Sequence, residues 1–494
     1  MIRQMLQIHA QDNVAVALQD IPSGCSVCIG NRVYVAREAI PRGHKMALKG
    51  IAPGESVIKY GCAIGHAKRR IDPGEHVHIH NMATNLSQSC DYSYNPVACS
   101  AVHLPQQQFQ GYRRRDGRAA IRNEIWILPL VGCVNSTVEA LEKASQHLVG
   151  GNLEGIYSFM HPFGCSQMSE DHARTRKLLA ALVHHPNAAA VLVVSLGCEN
   201  NTLDDFKREI GSWDPERVEF MVCQDADDEI SQGLHLLEKL AQYAKQFQRT
   251  PIGADELVIG LKCGGSDGLS GVTANPVVGK LSDMLIAQGG STLLTEVPEM
   301  FGAESLLLNR CRNEQVYHRA AKMLADFKNY YVSHGQVVYE NPSPGNKQGG
   351  ITTLEDKSCG CVQKGGSAAI EDVLDYGDRV RCHGLSLLSA PGNDMVSTTA
   401  LSAAGAHMIL FTTGRGTPFG APAPTIKIAS NSQLAEKKPQ WIDFNAGVVA
   451  DGESIDSAAE QLMKLVLNIA SGAPTRSESH GARSISIFKD GVVL

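Results

Sequence analysis

Short apolar runs alternate with helical patterns from residue 125 onward, and this alternation constrains the fold more than any other feature. The first strand-like runs lie at 125–131, 156–160, 191–196 and 218–222, and helical patterns begin near 136, 170 and 227. Repeated strand, helix, strand order is typical of a parallel sheet, because parallel strands need a crossover connection. The stretch 245–255, with Pro251 and Gly253, marks a boundary, after which strand-like runs lie at 257–261, 385–388 and 408–411. We therefore predict two α/β domains with mostly parallel sheets, at 111–250 and 251–494.

The first 81 residues show a different rhythm, in which tight turns interrupt brief β-branched runs. The turn signals are Pro22-Ser23-Gly24, Pro41-Arg42-Gly43, Pro53-Gly54 and Pro73-Gly74. Brief strands between such turns predict a small all-β domain at 1–81. Residues 82–110 lose periodicity and are mostly polar, which predicts a linker. The predicted fold is therefore multidomain: a small amino-terminal β domain followed by two α/β domains.

Composition and charge exclude several classes of function. With 43% hydrophobic and 19% charged residues, the 494-residue chain is typical of a globular protein. A net charge of -6 gives no attraction for polyanions, so we expect no nucleic-acid partner and no membrane partner. No apolar run approaches the roughly 20 residues of a membrane span, and residues 1–10 lack the apolar core of a secretory signal. We expect a cytoplasmic protein with a small-molecule ligand.

Three histidines alternate at the end of the β region. The string is Gly74-Glu75-His76-Val77-His78-Ile79-His80-Asn81. In a strand, alternation puts His76, His78 and His80 on one face, and imidazole is the commonest transition-metal ligand. Because the β domain is too small to enclose a pocket, we predict that its histidine edge docks over the large domain and completes a site. The alternative is an exposed strand with solvated imidazoles.

Four of the 14 cysteines directly follow predicted strands. They are Cys133, Cys165, Cys198 and Cys263. Residues that follow parallel strands converge at the carboxyl edge of the sheet, so these thiols could share a cleft and bind an ion such as Fe²⁺. The alternative for each is a small buried residue at a glycine turn. Cys25 and Cys28 have no second pair at zinc-finger spacing and are predicted to be structural.

Glycine-rich loops in the carboxy-terminal region carry further polar candidates. These loops run through 262–276, 341–357 and 412–418. Glycine lets backbone N–H groups approach an anion, while lysine and arginine bind a carboxylate or phosphate by charge. No nucleotide-binding spacing of the Walker type is present in the first two loops. The loops therefore predict an anion-binding site, and the alternative is a set of rigid connections with solvated lysines.

Six strings spread over the chain carry a resemblance. They are Gly111-Tyr112-Arg113-Arg114-Arg115-Asp116-Gly117, Phe163-Gly164-Cys165, Gly197-Cys198-Glu199-Asn200-Asn201, Cys263-Gly264-Gly265-Ser266-Asp267, Asn341-Pro342-Ser343-Pro344-Gly345-Asn346-Lys347 and Thr413-Gly414-Arg415-Gly416-Thr417-Pro418. Together they closely resemble the altronate/galactarate dehydratase family over essentially the whole chain. The histidine-ending first domain resembles the SAF-type β-clip domain of these enzymes. The strings at 124–129, 164–167 and 296–302 resemble the altronate branch.

The resemblance implies a hydro-lyase that removes water from D-altronate to give 2-dehydro-3-deoxy-D-gluconate in hexuronate breakdown. It also implies assistance by Fe²⁺ or Mn²⁺. Galactarate or another sugar acid is the alternative substrate, because members that act on galactarate share most of these loops. We further expect a homo-oligomer.

Such a dehydration removes the C2 proton beside the carboxylate and expels hydroxide from C3. The growing negative charge needs a cation, and the leaving hydroxide needs a Lewis acid or a proton donor. We expect the metal between His78 and His80 and a cleft with Cys165 and Cys198. The expected base is a histidine of this edge, His78 or His80, or else Lys357. The expected substrate-binding residues are Lys262, Ser266, Asp267, Asn341, Lys347 and Arg415.

Two rival functions follow from the same residues. The first is a hydro-lyase in which three cysteines hold an iron–sulfur cluster, although the cysteines lack the short spacings of common cluster motifs. The second is a non-catalytic protein that binds a sugar acid without consuming it. Acid-labile sulfide would support the first rival, and production of a 2-keto acid would exclude the second.

Overall fold

The computed structural model describes residues 4–87, 92–99 and 104–494. The described residues form a small β domain, an α/β domain with a four-stranded sheet and a larger α/β domain with a seven-stranded sheet. The predicted fold class is confirmed. Residues 88–91 and 100–103 of the predicted linker lie outside the described residues, as do residues 1–3 at the amino terminus.

The β domain is built from short antiparallel strands. They are β1 (Met5–Leu6), β2 (Val14–Ala17), β3 (Ser26–Ile29), β4 (Arg32–Val35), β5 (Lys45–Ala47), β6 (Ser56–Lys59), β7 (Cys62–Ala67), β8 (His76–Val77) and β9 (Met82–Ala83). Their sheets have the orders β1-β2-β5-β8, β6-β7-β9 and β3-β4. The turn at Gly74 requires glycine, because its φ is 86° and a Cβ there would lie 2.1 Å from the Val35 carbonyl oxygen. β9 pairs with β7, so this domain's sheet extends past residue 81.

The predicted strand through the three histidines is wrong beyond Val77. The chain turns at 78–81, where Asn81 donates its backbone N–H to the His78 carbonyl at 3.0 Å and accepts the His78 N–H on its side chain at 2.9 Å. An asparagine that bonds the backbone in this way competes with strand pairing. As a result Ile79 does not join Val77 in the core: Val77 is fully buried, whereas Ile79 is 46% exposed.

The second domain is a parallel sheet with helices on both faces. Its strands are β10 (Gln108–Arg113), β11 (Ala119–Ala120), β12 (Glu124–Pro129), β13 (Gly155–Ser158), β14 (Ala188–Ser195), β15 (Val218–Val222) and β16 (Arg249–Gly253), and its helices are α1 (Asn135–Ser145), α2 (Ser169–Val183), α3 (Leu203–Ile210) and α4 (Glu229–Ala244). The parallel sheet has the order β13-β12-β14-β15. β14 is buried along its whole length, as expected for a central strand covered on both faces. β10 and β16 pair antiparallel and join the two ends of the domain.

The carboxy-terminal domain carries the larger sheet. Its strands are β17 (Val258–Cys263), β18 (Ser291–Leu294), β19 (Ile370–Leu374), β20 (Gly384–Leu388), β21 (Met408–Thr413), β22 (Thr425–Ala429) and β23 (Phe444–Asn445), and its helices are α5 (Ala274–Ile286), α6 (Glu304–Leu308), α7 (Glu314–Ser333), α8 (Pro344–Gln348), α9 (Leu354–Cys361), α10 (Asp394–Ala403), α11 (Ser432–Lys437), α12 (Ile455–Ala470) and α13 (Arg476–Ser479). The order β19-β20-β18-β17-β21-β22-β23 is parallel throughout. The next strand in the chain, β18, pairs with one edge of β17, and the later strand β21 pairs with its other edge. The carboxyl end of β17 is thus a topological switch point, where such sheets bind ligands.

The β domain docks onto the carboxy-terminal domain through buried charges. Lys45 and Lys59 of the β domain both donate to Asp356 of α9, at 2.8 and 3.0 Å, and all three side chains are almost completely buried. The backbones also come very close, because a Cβ at Gly268 would lie 1.9 Å from the Gly43 carbonyl oxygen. The predicted docking of the histidine-bearing domain over the large domain is confirmed.

Within the described residues, we find no helix that is both long and apolar enough to cross a membrane.

Candidate functional site

The short helix α8 of the carboxy-terminal domain lies where this domain meets the β domain. Ser343 caps it and forms a reciprocal capping box with Asn346, and Pro344 occupies the first turn, where a missing N–H costs nothing. The carboxyl end of α8 presents backbone carbonyls to the β domain. His78 donates from Nε2 to the Lys347 carbonyl at 2.9 Å, and His44 donates from Nε2 to the Gln348 carbonyl at 3.1 Å. Helix α8 thereby fixes the tautomers of both imidazoles, because a carbonyl can only accept.

Four imidazoles cluster beside α8, and we call His44, His76, His78 and His80 the histidine edge. Their ring centroids are 5.0 Å apart for His44 and His76, 5.0 Å for His44 and His78, 5.4 Å for His76 and His78, and 5.5 Å for His76 and His80. His44 Nδ1 lies 2.9 Å from His76 Nε2. Since His44 carries its proton on Nε2, its Nδ1 accepts, and His76 is the donor.

Three imidazoles of the histidine edge, His44, His76 and His78, are held in their neutral form. Burial, reinforced by the neighbouring histidines and Lys45, lowers the pKa of His76 to about 3. Burial and Lys45 lower the pKa of His78 to about 4, and burial also lowers the pKa of His44. Neutral imidazoles keep a lone pair available for a metal ion.

Two groups of side chains in the described part of the chain could hold a metal ion. In each, one ligand atom per residue lies within 4.8 Å of the others. The first group joins Glu38 to His76 and His80 of the histidine edge and is partly open to solvent. The second group, Cys263, Glu299 and Cys361, is wholly buried in the carboxy-terminal domain. Two imidazoles and a carboxylate with open positions are the ligand set of many non-haem Fe²⁺ sites, so the first group fits the ion that the resemblance implies.

A buried cluster of charges lies at the carboxyl end of β17. Lys262 donates to Glu296, to Asp394 at 3.0 Å and to the Cys263 carbonyl at 2.7 Å. Lys364 donates to Glu296 at 3.3 Å and to Cys263 Sγ at 2.8 Å. Only Asp394 reaches solvent, with 40% of its side chain exposed. Lys262 is therefore a paired interior cation.

Lys357 lies between this cluster and α8. Its Nζ donates to Glu299 at 2.8 Å, to Asn341 at 3.1 Å and to Asn346 at 3.4 Å. Burial opposes its charge, but Glu299 and the neighbouring thiols outweigh burial and raise the pKa of Lys357. Lys357 is consequently an ammonium that can donate a proton but cannot readily accept one.

A small cavity separates Lys357 from the β domain. Its volume is about 10 Å³, which is room for about one water molecule. Its lining includes Lys59, Tyr60, Ser266, Asp267, Lys357 and Cys361. The Ser266 hydroxyl is buried and has no hydrogen-bond partner among the described residues. A cavity of this size is too small to hold a six-carbon acid.

Two cations flank the open side of α8. Arg415 is exposed, and its guanidinium donates to the Gly345 carbonyl at 3.1 Å and to the Gln348 side chain at 3.2 Å. The Lys347 ammonium is half-buried and has neither a hydrogen-bond nor an ion-pair partner among the described residues. Unlike Lys262, these two cations remain available to a carboxylate.

Three family models match the chain in succession. The model of the altronate/galactarate dehydratase SAF domain matches residues 3–85. The model of the D-galactarate dehydratase/altronate hydrolase second domain matches residues 111–245, and that of the D-galactarate/altronate dehydratase carboxy-terminal domain matches residues 254–493.

Full-length relatives agree with these matches. The altronate dehydratase of Escherichia coli (strain K12) is 50% identical to the chain, over 99% of this chain and 100% of its own length. The altronate dehydratase of Bacillus subtilis (strain 168) is 47% identical, over 100% of both chains. The chain belongs to the altronate/galactarate dehydratase family. The galactarate dehydratase (L-threo-forming) of Escherichia coli (strain K12) is more distant, at 34% identity over 94% of this chain and 92% of its own length.

Most residues that the sequence analysis selected in this dehydratase-family chain gather around α8. His78 contacts α8 directly, Lys347 belongs to it, and Arg415 donates to it. Asn341 and Lys357 are hydrogen-bonded to each other beside it. Ser266 accepts from Asn346 of α8 on its carbonyl at 2.7 Å. The Asp267 carboxylate accepts from Ser270, Ser430 and Asn431, which holds its loop in place.

The selected cysteines of the second domain lie elsewhere. Cys165 and Cys198 are exposed at the carboxyl edge of the four-stranded sheet, where their thiols contact Asn200 and Gln224, each at 3.5 Å. Among the described residues, no group of ligand atoms within 4.8 Å joins either cysteine to His78 or His80. The fourth cysteine, Cys263, is buried in a different sheet.

Sequence reasoning missed several residues of the dehydratase-family site. They are Glu38, His44, Glu296, Glu299, Cys361 and Lys364. His44 follows a predicted turn, and Cys361 and Lys364 stand in the dense string Ser358-Cys359-Gly360-Cys361-Val362-Gln363-Lys364, so both regions offered a signal. Glu296 and Glu299 stand in the string at 296–302, which carried the resemblance but was given no chemical role, and Glu38 offered no signal because a lone glutamate usually faces solvent.

Proposed function

We propose that this chain dehydrates D-altronate to 2-dehydro-3-deoxy-D-gluconate in hexuronate breakdown. The observation that carries the proposal is the pair of altronate dehydratases that match the chain end to end at 50% and 47% identity. Galactarate is the second candidate substrate, supported by the relative at 34% identity. The anion-binding groups around α8 suit either acid.

The substrate carboxylate would bind on the open side of α8. Lys347 has no partner in the described structure, so no contact would be lost when it binds a carboxylate. Arg415 donates only to neutral acceptors. An arginine can grip a carboxylate through two parallel hydrogen bonds. Charge from these two side chains would stabilise the negative charge that builds on the carboxylate when the C2 proton leaves.

Proton transfer would be divided between the two sides of α8. Burial holds His78 in its neutral form, so we assign the removal of the C2 proton to His78, whose Nε2 bonds to α8 and whose Nδ1 has no hydrogen-bond partner among the described residues. Lys357 is protonated, and Glu299 keeps it so. We therefore assign Lys357 to donate a proton to the hydroxide that leaves C3, and not to act as the base.

Glu38, His76 and His80 would hold a divalent ion. Two imidazoles and one carboxylate suit Fe²⁺ better than Mn²⁺, which prefers oxygen ligands. When bound, the ion would supply positive charge and Lewis acidity to the substrate oxygens. Deprotonated carboxylate and neutral imidazoles are the forms that bind metal, and burial already keeps His76 neutral.

A panel of sugar acids tests this function. The full-length protein is stripped of metal, and Fe²⁺, Mn²⁺, Mg²⁺ or Zn²⁺ is added back before incubation with altronate, galactarate and other aldonates. We expect a 2-keto acid, detected with a carbonyl reagent, from altronate in the presence of Fe²⁺. Full activity of the stripped protein would refute the metal proposal. Altronate binding without any product would refute the enzyme and leave a binding protein, and acid-labile sulfide would indicate an iron–sulfur cluster.

We also propose that the protein is cytoplasmic, forms a homo-oligomer and binds neither nucleic acid nor membranes. The net charge of -6 supports the last point, since polyanions are repelled. Val33 and Val35 on the β3–β4 hairpin are 65% and 54% exposed, which offers an apolar surface for assembly. Light scattering of the purified chain would measure its assembly state.

A further inference from the structure

A triangle of ligand atoms lies in the interior of the carboxy-terminal domain, outside the histidine edge. Cys263 ends β17, Cys361 ends α9, and Glu299 lies in the short turn at 297–300. The two sulfur atoms are 3.3 Å apart, and Glu299 Oε2 lies 3.1 Å from each of them. The three residues are at most 4% exposed. The proposed dehydration assigns no role to the two thiols.

The Cys263 sulfur faces a lysine ammonium. The Lys364 ammonium lies 2.8 Å from Cys263 Sγ, which is a short contact for nitrogen and sulfur. Hydrogen bonds shorten when donor and acceptor both carry charge. A neutral thiol is only a weak acceptor, and an ammonium at this distance would stabilise a thiolate that binds a metal ion.

A thiolate here requires a further cation. The lysines of this region are Lys262, Lys357 and Lys364, and the carboxylates around them are Glu296, Glu299 and Asp394. These three positive and three negative charges already balance. Each thiolate would add one uncompensated negative charge in the interior, which is costly unless it is paired. Two thiolates and one divalent ion restore neutrality.

We propose that Cys263, Cys361 and Glu299 bind one divalent ion that prefers thiolate ligands, Zn²⁺ or Fe²⁺, at a site separate from the histidine edge. Metal–ligand distances of about 2.3 Å for sulfur and about 2.0 Å for oxygen give tetrahedral edges of roughly 3.5–3.8 Å. The observed triangle needs to widen by only a few tenths of an ångström. Glu296 Oε1, 3.9 Å from Cys263 Sγ, offers a fourth ligand.

This ion would be a positioning element. It would tie together β17, the turn at 297–300 and α9, which come from distant parts of the chain. Lys262 precedes one ligand directly, and Lys357 pairs with another. Loss of the ion should therefore make α9, which carries Lys357, less rigidly held, without removing any group that touches the substrate.

Cobalt is the probe for this site, because Co²⁺ bound to thiolate gives a sulfur-to-metal charge-transfer absorption in the near ultraviolet. The full-length protein is stripped of metal under reducing conditions and titrated with Co²⁺. We expect the band in the wild type and its loss in Cys361→Ser and Cys263→Ser. Cys359→Ser is the matched control, since this buried cysteine lies on the same helix but outside the triangle, and it should keep the band.

A second variant separates this proposal from the proposed function. His80→Ala should lose the ion of the histidine edge and keep the charge-transfer band. Absence of the band from folded wild-type protein would overturn the proposal, and so would a band of full intensity in Cys361→Ser. Neither result would bear on altronate turnover, which the sugar-acid panel measures independently.

Differential alkylation of the wild type requires no variant and covers the case in which Cys361→Ser does not fold. Stripped and Zn²⁺-loaded protein are exposed to iodoacetamide in mild urea, and the modified cysteines are located by mass spectrometry. We expect Zn²⁺ to slow modification of Cys263 and Cys361 at least tenfold and to leave Cys359 unchanged. Equal rates with and without Zn²⁺ would overturn the proposal.

Discussion

Replacing Asp356 by asparagine should undock the β domain from the rest of the protein. Asp356 is the only carboxylate that the structure shows bonded to Lys45 and Lys59 in the described chain, and it also accepts from Thr352 at 3.1 and 3.0 Å. Asparagine keeps the volume but removes the charge. One of the two carboxylate oxygens is replaced by an NH2 group. This group is a hydrogen-bond donor and faces a lysine ammonium, which is also a donor.

The magnitude follows from burial. The side chains of Lys45, Lys59 and Asp356 are 0%, 2% and 0% exposed, so water cannot compensate. Removing one partner of a buried ion pair costs about 3–5 kcal/mol. Burial lowers the pKa of Lys45 to about 8 even with Asp356 present. Without the carboxylate, Lys45 should lose its proton near neutral pH, while Lys59 is left as the uncompensated charge.

Hydrogen exchange is the appropriate assay for this loss. The three tryptophans, at 126, 213 and 441, all lie outside the β domain, so their fluorescence does not report on it. We expect the amides of β5 and β7 to exchange faster by a factor on the order of 100 to several thousand, because each 1.4 kcal/mol is tenfold. Amides of β12 and β14 should be unchanged.

Asp72→Asn is the control for this experiment. Asp72 lies in the same domain and pairs with Arg37 and Arg70, but it is on the surface. Exposed pairs contribute about 0–1 kcal/mol, so exchange in β5 should change less than about fivefold. Equal exchange rates in Asp356→Asn and Asp72→Asn would refute the assignment of the docking energy to this buried triad.

The remaining predictions concern the site and its pH dependence. His80→Ala should reduce Fe²⁺ affinity measured by calorimetry, whereas His66→Ala in the same domain should not; equal affinities would remove His80 from the ligand set. Lys347→Met should lower kcat/KM for altronate about 10- to 100-fold, as expected for loss of a charged hydrogen bond of about 1.5–3 kcal/mol, and part of this loss should appear in kcat, because Lys347 also stabilises the charge that grows on the carboxylate. Lys357→Met should lower kcat about 10²- to 10⁴-fold, the range for a general acid, and an unchanged kcat would contradict this role. Because Lys45 and Lys59 outweigh burial and depress the pKa of Asp356, its stabilising effect is present above the unfolded pKa of about 3.9 and is lost as pH falls through the folded pKa. Docking, followed by hydrogen exchange, should therefore weaken below about pH 4 in the wild type and show a smaller acid dependence in Asp356→Asn.

Helix and strand positions in the α/β part could be predicted because the buried strands are continuous apolar runs and the segments between them have helical patterns. The expected run at 125–131 is β12 (Glu124–Pro129), and the helix expected near 170 is α2 (Ser169–Val183). The prediction of a strand through the three histidines was wrong for a local reason. The alternation is regular, but Asn81 hydrogen-bonds to the backbone of His78 and ends the strand after Val77.

The sequence indicated which residue types in the loops could bind an anion, but not where their side chains point. Lys262 and Lys347 looked equivalent in the sequence, as lysines in or beside glycine-rich loops. In the structure Lys262 points inward from β17 to Glu296, whereas the Lys347 ammonium has no partner in the described structure. The difference arises because Lys262 is the penultimate residue of a central strand, where neighbouring strands cover the side chain.

The sequence by itself determined the parallel sheets, the separate β domain and the imidazole-rich end that this domain presents to its neighbour. These features depend on local periodicity and turn chemistry, which are properties of nearby residues. Only the tertiary structure decided which groups meet. His78 bonds to a residue of α8 that is 269 positions away in the sequence, and Lys45 pairs with Asp356, which is 311 positions away. No pattern in the chain encodes such partners, because a buried charge is stabilised by whatever opposite charge the folded topology places beside it.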